Sequence, residues 1–402
     1  MLLASIIYLS PFILMLGQLA KLSYFGGPGI YFFDIYIAFS ALYCVFYLLL
    51  SGKKLYVESV LFPFAVFSTW ALVSLLVTPV SMIPEEFSES FLYFVRFSSY
   101  LLFGFCVASS VKNGLVCHIR LEKAIVFSGL LFIILGFIQL YFLPDFGVLE
   151  RSLGWDPHKF RLASTFFDPN FAATYLCIIL LVLIRIRSFF SRNILGLFFL
   201  LCLIAIFLTF SRSGWLFLAC IGLVYGVFRK PRMLLVSIFI CSLVFFTVPR
   251  VQGRILGVTN PADSASFRWR SWENGLDLFK SNPVSGVGFN TLRYAQKENN
   301  LLSFIDYSIE DGGNSGAGID SSFIFVLATT GVVGFGLFLI GFLGPLAKLA
   351  KGPSAFPAEK SLYYISLIVG LGVSSQFINS LFYPQIMYLF FLLLALFEIG
   401  EL

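Results

Sequence analysis

Charge is what this sequence has least of. Only 12% of its 402 residues are Asp, Glu, Lys or Arg, against 59% hydrophobic residues and a mean hydropathy of +0.92. Soluble domains carry roughly a quarter charged residues, so a soluble fold is excluded. There are just two histidines, and no Cys, His, Asp or Glu cluster has metal-ligand spacing. Six of the seven cysteines, Cys44, Cys106, Cys177, Cys202, Cys220 and Cys241, lie inside apolar runs, and Cys117 lies in a short loop. No disulfide framework follows from that placement. No basic residue precedes the first apolar run, Leu2 to Ala20, and Pro11 lies within it, so it reads as a retained span and not as a cleaved signal. The in-out alternation of a barrel strand is missing as well, as are low-complexity tracts and internal duplication.

What the chain does have is apolar runs long enough to cross about 30 Å of hydrocarbon. They fall at roughly 2–20, 31–50, 60–78, 91–110, 124–143, 170–185, 194–210, 213–228, 233–249, 321–343, 361–382 and 385–399. Backbone amides in lipid must be satisfied within the segment, so these runs predict helices. The expected fold is an all-α membrane protein with about 12 transmembrane helices. Basic residues recur in the loops after every second span: Lys53 and Lys54; Lys112, Arg120 and Lys123; Arg185, Arg187 and Arg192; Arg229, Lys230 and Arg232; Lys348, Lys351 and Lys360. Glu85, Glu86 and Glu89 mark an opposite loop. The positive-inside rule then places both termini in the cytoplasm.

That orientation leaves two longer connections outside, Pro144 to Pro169 and Pro249 to Asp320. The chain divides into spans one to nine (1–249), a large extracytoplasmic loop (250–320) and spans ten to twelve (321–402). Loops of that length in a compact bundle carry function or lack structure. The second contains a predicted helix bounded by Asp263, Ser264 and Ser266 before it and Asn282-Pro283 after it. Trp269, Trp272, Leu276 and Phe279 follow three- and four-residue steps, with Glu273, Asn274, Asp277 and Lys280 on another face. An amphipathic helix at the membrane surface fits that pattern.

Several polar residues fall near these outer connections. Arg212, in TFSRSGW, sits where spans seven and eight are separated by almost nothing. A charge at membrane depth costs about 2.5–3.5 kcal/mol on insertion scales, so it needs a partner or a task; snorkelling to lipid phosphates is the bland alternative. Arg268 and Arg270, in SASFRWRSW, project to nearly opposite faces of the loop helix. Glu273 provides Arg270 with an ion-pair partner three residues on, whereas Arg268 has no such local partner and suits an anion at a helix N-terminus. Asp320 ends the glycine-rich run DGGNSGAGID; it reads as the N-cap of span ten and is also placed to take a proton from a hydroxyl. Asp168-Pro169 reads as an N-cap followed by a proline at the first helical position, which leaves Asn170 without a structural reason. Arg161 supplies a further outer cation, and His158, the one histidine placed outside, reads as solvated.

Four segments, RLASTFFDPNFAATYL, LTFSRSGWLFLA, SFRWRSWENGLDLFKSNPVSGVGFNTLR and DSSFIFVLATTGVVGFGLF, resemble in order and spacing the pattern of the O-antigen ligase and polymerase superfamily of cell-envelope glycan assembly. The span count and the position of the large loop also match. The resemblance implies a membrane glycosyltransferase of the bacterial cytoplasmic membrane with an extracytoplasmic site. It takes a glycan from a polyprenyl diphosphate carrier and passes it to an acceptor hydroxyl, on a glycan or a lipid-linked acceptor. No cofactor, nucleotide sugar, metal or nucleic acid is expected. On this mapping Arg212 is the arginine of the Ser-Arg motif and Arg268 the arginine four residues before the loop-helix tryptophan, and both hold the diphosphate. Arg161, Asn170 and Arg270 are substrate-binding candidates and Asp320 a catalytic one. Ligases of the superfamily place a histidine where this chain has Asp320-Ser321-Ser322, and its absence tilts the reading toward a polymerase. The alternative from another class is a transporter or flippase of lipid-linked or anionic saccharides.

Overall fold

The computed structural model describes residues 2–22, 29–149, 158–229, 231, 234–235, 245–246, 248–256, 264–301, 318–351 and 359–399. Most of the ninth expected span, Cys241, Asp263 and most of the glycine-rich run before Asp320 lie outside the described residues. Among the described residues there are fourteen α-helices: α1 (Leu2–Leu14), α2 (Phe32–Leu50), α3 (Phe62–Leu76), α4 (Pro84–Lys112), α5 (His118–Phe142), α6 (Pro169–Arg185), α7 (Arg192–Leu208), α8 (Arg212–Phe228), α9 (Pro249–Leu256), α10 (Ser264–Ser281), α11 (Leu292–Glu298), α12 (Ser322–Ala350), α13 (Glu359–Ser374) and α14 (Pro384–Ala395). No strand occurs among the described residues. The chain is an all-helical membrane protein: α2, α4, α5 and α12 are long and apolar enough to cross a bilayer, and α1, α3, α6, α7, α8 and α14 are shorter apolar helices.

The helices start where side chains supply the first-turn caps. Asp168 accepts from the Asn170 amide ahead of Pro169, and Ser191, Ser211 and Ser321 accept from Ile194, Gly214 and Ile324. Small residues then let backbones approach. A Cβ on Gly214 would collide with Ala173, so its absence seats α8 against α6.

Charge inside the bundle is paired. Arg96 on α4 grips Asp34 on α2 through Nε at 2.8 Å and Nη2 at 2.6 Å, and Tyr100 donates to the same carboxylate at 2.5 Å. At the end of the bundle carrying the basic loops, Arg185 Nε meets Glu122 at 2.8 Å. Both pairs are largely withdrawn from solvent, as a low-dielectric interior demands.

The tenth expected span is interrupted. Gly331 has φ +66° and ψ −171°, which splits α12 into a short half (322–330) and a longer one. The segment 283–288, just after α10, fills the break: the amides of Val287 and Gly288 donate to the carbonyls of Ala328 and Thr329 at 2.9 and 3.0 Å, and the amide of Val332 donates to Pro283 at 2.9 Å. A Cβ at Gly331 would strike the Val284 carbonyl. Non-helical backbone at membrane depth is tolerated only where protein or a cavity satisfies it, and here the loop does so.

Candidate active site

The loop between α5 and α6 is folded back onto the bundle. The Phe146 amide donates to the His158 carbonyl at 2.9 Å, and the Phe160 amide to the Pro144 carbonyl. This brings Arg161 into the interior, where it is 8% exposed. Its Nε donates to the Thr209 carbonyl at 2.7 Å, and its Nη2 to the Phe210 carbonyl and to Asn170 Oδ1 at 3.1 Å. Nη1 lies 3.3 Å from His158 Nδ1. A helix C-terminus leaves carbonyls without intrahelical partners, and Arg161 satisfies two of them just past α7.

Asn170 has the structural reason that its sequence context did not disclose. Its Oδ1 accepts from Arg161 and also from Ser211 Oγ at 3.0 Å, while its amide donates to Asp168 at 2.6 Å. It ties the start of α6 to the Ser-Arg turn, and Arg212 follows Ser211 as the first residue of α8, partly buried. His158 is likewise held against Arg161 and is half-buried, not the solvated group expected.

On the other wall, α10 lies along the first half of α12. The seat against α12 is not the expected apolar face of Trp269, Trp272, Leu276 and Phe279 but a smaller one: Gly275, on which a Cβ would collide with Ile319 and Ile324, and Leu278, 2% exposed. Trp269 is 61% exposed. Trp272 turns inward, packing against Phe377 and donating from Nε1 to the Asp320 carbonyl at 3.0 Å. Ser271 Oγ accepts from the Asp320 amide at 3.1 Å. Asp320 is therefore held through its backbone on both sides.

That arrangement corrects the N-cap reading. Ser321, not Asp320, caps α12, because it is the residue whose side chain turns back to the first-turn amides. The Asp320 carboxylate is left facing Arg268, with Nε to Oδ2 at 3.9 Å. Partial burial raises the Asp320 carboxyl above its ordinary range; the Arg268 charge acts against that shift and the Asp168 carboxylate adds to it. The Asp168 carboxylate, a cap by sequence, thus also bears electrostatically on Asp320. Sequence reasoning did not find that role, because a cap is a complete local explanation and the neighbour lies in another span.

Arg270 is exposed. The ion pair expected with Glu273 does not form among the described residues; Glu273 instead accepts from Trp269 Nε1 at 2.8 Å. One helical turn of separation suits the indole better than the longer guanidinium. Arg161, Asn170 and the Ser211-Arg212 turn are joined by hydrogen bonds, Arg268 and Asp320 face each other from a different pair of elements, and Arg270 is exposed on the loop helix.

A protein-family model described as O-antigen ligase matches residues 197–339. The match runs from α7 into the second half of α12, so it takes in Arg212, Arg268, Arg270 and Asp320 and leaves out Arg161 and Asn170. A search of curated proteins finds no match. The match supports the likeness to the O-antigen ligase and polymerase superfamily over that region, and the apolar helices are those of an integral membrane protein.

Proposed function

We propose that this chain, whose 197–339 region is of the O-antigen ligase type, transfers a glycan from a polyprenyl diphosphate carrier to an acceptor hydroxyl outside the cytoplasmic membrane, as a polymerase in preference to a ligase. The observation that carries the reading is the meeting of Arg268 and Asp320 at 3.9 Å, between the loop helix and the start of α12. A carboxylate and a guanidinium so placed divide the labour of the reaction. Asp320 takes the acceptor hydroxyl proton, the acceptor oxygen bonds to the anomeric carbon, and the bond from that carbon to the diphosphate breaks with its electron pair leaving on the diphosphate. Arg212 and Arg268 stabilise that charge by electrostatic preorganisation, and arginine's planar fork and permanent charge suit the task without a metal. Arg161 and Asn170 hold the Ser211-Arg212 turn, and Arg270 is a peripheral contact to the glycan.

Burial raises the affinity of Asp320 for a proton, which makes it a better base than a free aspartate when ionised. The test is Arg212→Ala and Arg212→Lys with arrival in the membrane verified. Polymer of unchanged length and amount in both variants sinks the assignment. The glycan profile of a strain lacking the chain separates the two transferase readings: single capped repeats mean a lost polymerase, and long chains left on the carrier mean a lost ligase.

One observation favours the transport alternative, since an interrupted helix like α12 is common in transporters. The break is, however, filled by residues 283–288, with its freed carbonyls satisfied by protein. Incubating purified protein in detergent with lipid-linked repeats distinguishes the two, because glycosidic bonds form without a sealed compartment and transport does not register.

A further inference from the structure

The break in α12 faces α3, and two residues of α3 four apart, with a third just past its end, turn toward it. Trp70 Nε1 donates to the Thr330 carbonyl at 2.9 Å. Ser74 Oγ lies 2.7 Å from the Ser285 carbonyl and 2.8 Å from that of Thr329. Thr78 Oγ1 donates to the Val287 carbonyl at 2.5 Å. Trp70 and Ser74, four apart, share one helix face, and Thr78 continues the line two residues beyond the helix end, so this is a polar stripe, and each of its groups meets a carbonyl of the break or of the loop that fills it. Ser74 is fully buried. Gly334, where a Cβ would crowd the Trp70 indole, makes room for the first contact, and Gly288, where a Cβ would press on Thr78 Oγ1, for the last.

Two elements that carry the proposed chemistry end at this stripe. The first half of α12 starts next to Asp320 and stops at the break. Helix α10 carries Arg268, ends at Ser281 and passes directly into Asn282-Pro283, whose proline carbonyl accepts from Val332. The two run side by side in the same direction. They are joined at one end by Ser271 and Trp272 to the Asp320 backbone, and at the other by the loop in the break. Sliding either helix by one residue, about 1.5 Å, would change the separation of Arg268 and Asp320 and would pull the carbonyls of Ser285, Val287, Thr329 and Thr330 from the side-chain donors that the stripe supplies.

We infer that the polar stripe formed by Trp70 and Ser74 of α3 and by Thr78 just past its end is a positioning device for the transferase site, fixing the register of α10 against the first half of α12 and with it the approach of Arg268 to Asp320. The inference rests on the proposed function for its purpose but not for its geometry. None of the three residues touches the reacting groups, so they are positioning residues. Their effect must travel through the docked pair.

The test has a geometric arm and a kinetic arm. Cysteines replacing Ser271 and Asp320 form a disulfide, quantified as the crosslinked peptide in isolated membranes. Adding Ser74→Ala is expected to lower its yield several-fold, and Ser74→Thr, which keeps the hydroxyl, to restore it. An unchanged yield with Ser74→Ala overturns the inference whatever Arg268 does in catalysis. In the kinetic arm, Ser74→Ala is expected to reduce kcat at least tenfold in the parent and to have little further effect in an Arg268→Ala background, because the residue acts through Arg268. Equal losses in both backgrounds overturn it. If Arg268→Ala is itself fully active, the transferase reading falls, and the crosslink alone decides the positioning claim. Should Ser74→Ala not reach the membrane, Trp70→Phe, which removes only the indole donor, is judged by the same two criteria.

Discussion

Arg268 Nε and Asp320 Oδ2 stand 3.9 Å apart, the first presented by helix α10 and the second by the residue just before the cap of α12. At that separation the pair attracts without a close hydrogen bond, and Asp320 remains 46% exposed at its side chain. Such a pair is open to exchange partners. A diphosphate would compete for Arg268, and an acceptor hydroxyl for Asp320.

The pH dependence of turnover tests this relationship. Burial and the Asp168 carboxylate raise the Asp320 carboxyl, and Arg268 lowers it. Removing the positive charge with Arg268→Gln should move the acid limb of the pH profile of kcat/KM upward. Asp168→Asn should move it downward. The sign for stability is opposite to that of an ordinary ion-paired aspartate: a carboxyl that binds its proton more tightly when folded stabilises the protein at low pH, and that contribution fades as the pH rises through its folded pKa. A profile unmoved by both substitutions removes Asp320 from the list of ionising groups that matter.

Arg161 should matter more for folding than for substrate contact. Arg161→Ala leaves the Thr209 carbonyl without a buried donor and takes from Asn170 Oδ1 one of its two, the other being Ser211 Oγ, at about 1–3 kcal/mol for a group stranded. A drop in thermal unfolding temperature in detergent, with only partial recovery in Arg161→Lys, is the expected result. Lysine brings charge but not the fork that reaches three acceptors.

The break in α12 needs glycine. Gly331→Ala places a Cβ against the Val284 carbonyl at φ +66°, and backbone strain of that kind costs about 1–3 kcal/mol before any clash is counted. Gly336→Ala, on the same helix with nothing near the added methyl, should be neutral or mildly stabilising. Comparing the amounts of folded protein in membranes checks both.

The Asp34 and Arg96 pair predicts an asymmetry. Asp34→Asn leaves a buried guanidinium uncompensated and should destabilise by about 3–5 kcal/mol. Replacing both residues by apolar ones of similar volume, Asp34→Leu with Arg96→Met, should cost less than the single change. A double variant worse than either single would mean that the pair does more than neutralise itself.

Much of the site could be located in the sequence, because the signals were local. Asp168-Pro169 announces a helix start, and the Asp168 cap is present. The loop helix runs from Ser264 to Ser281, as its flanking Asp263, Ser264 and Asn282-Pro283 imply. Where an explanation needed a second element, the sequence misdirected. Ser321 and Asp320 are equally plausible caps by type, and only the path of the chain gives the cap to Ser321 and leaves Asp320 to Arg268. The polar stripe along α3 and just past its end was visible as STWALVSLLVT but had no meaning until its partner was known.

By itself the sequence determined the solvent. A chain this poor in charge and this rich in long apolar runs must fold its backbone hydrogen bonds into helices, and its SRSGW and FRWRSW arginines had to find anionic or polar company. Tertiary structure alone decided which company. The gap in α12 is opened by one glycine but held open by residues 283–288 and by hydroxyls on and just past α3, and these are separated from it by long stretches of chain. Hydrophobic periodicity specifies which face of a helix is buried, whereas the register between two buried faces is set by close contacts such as Gly275 on Ile319, which have no signature along the chain.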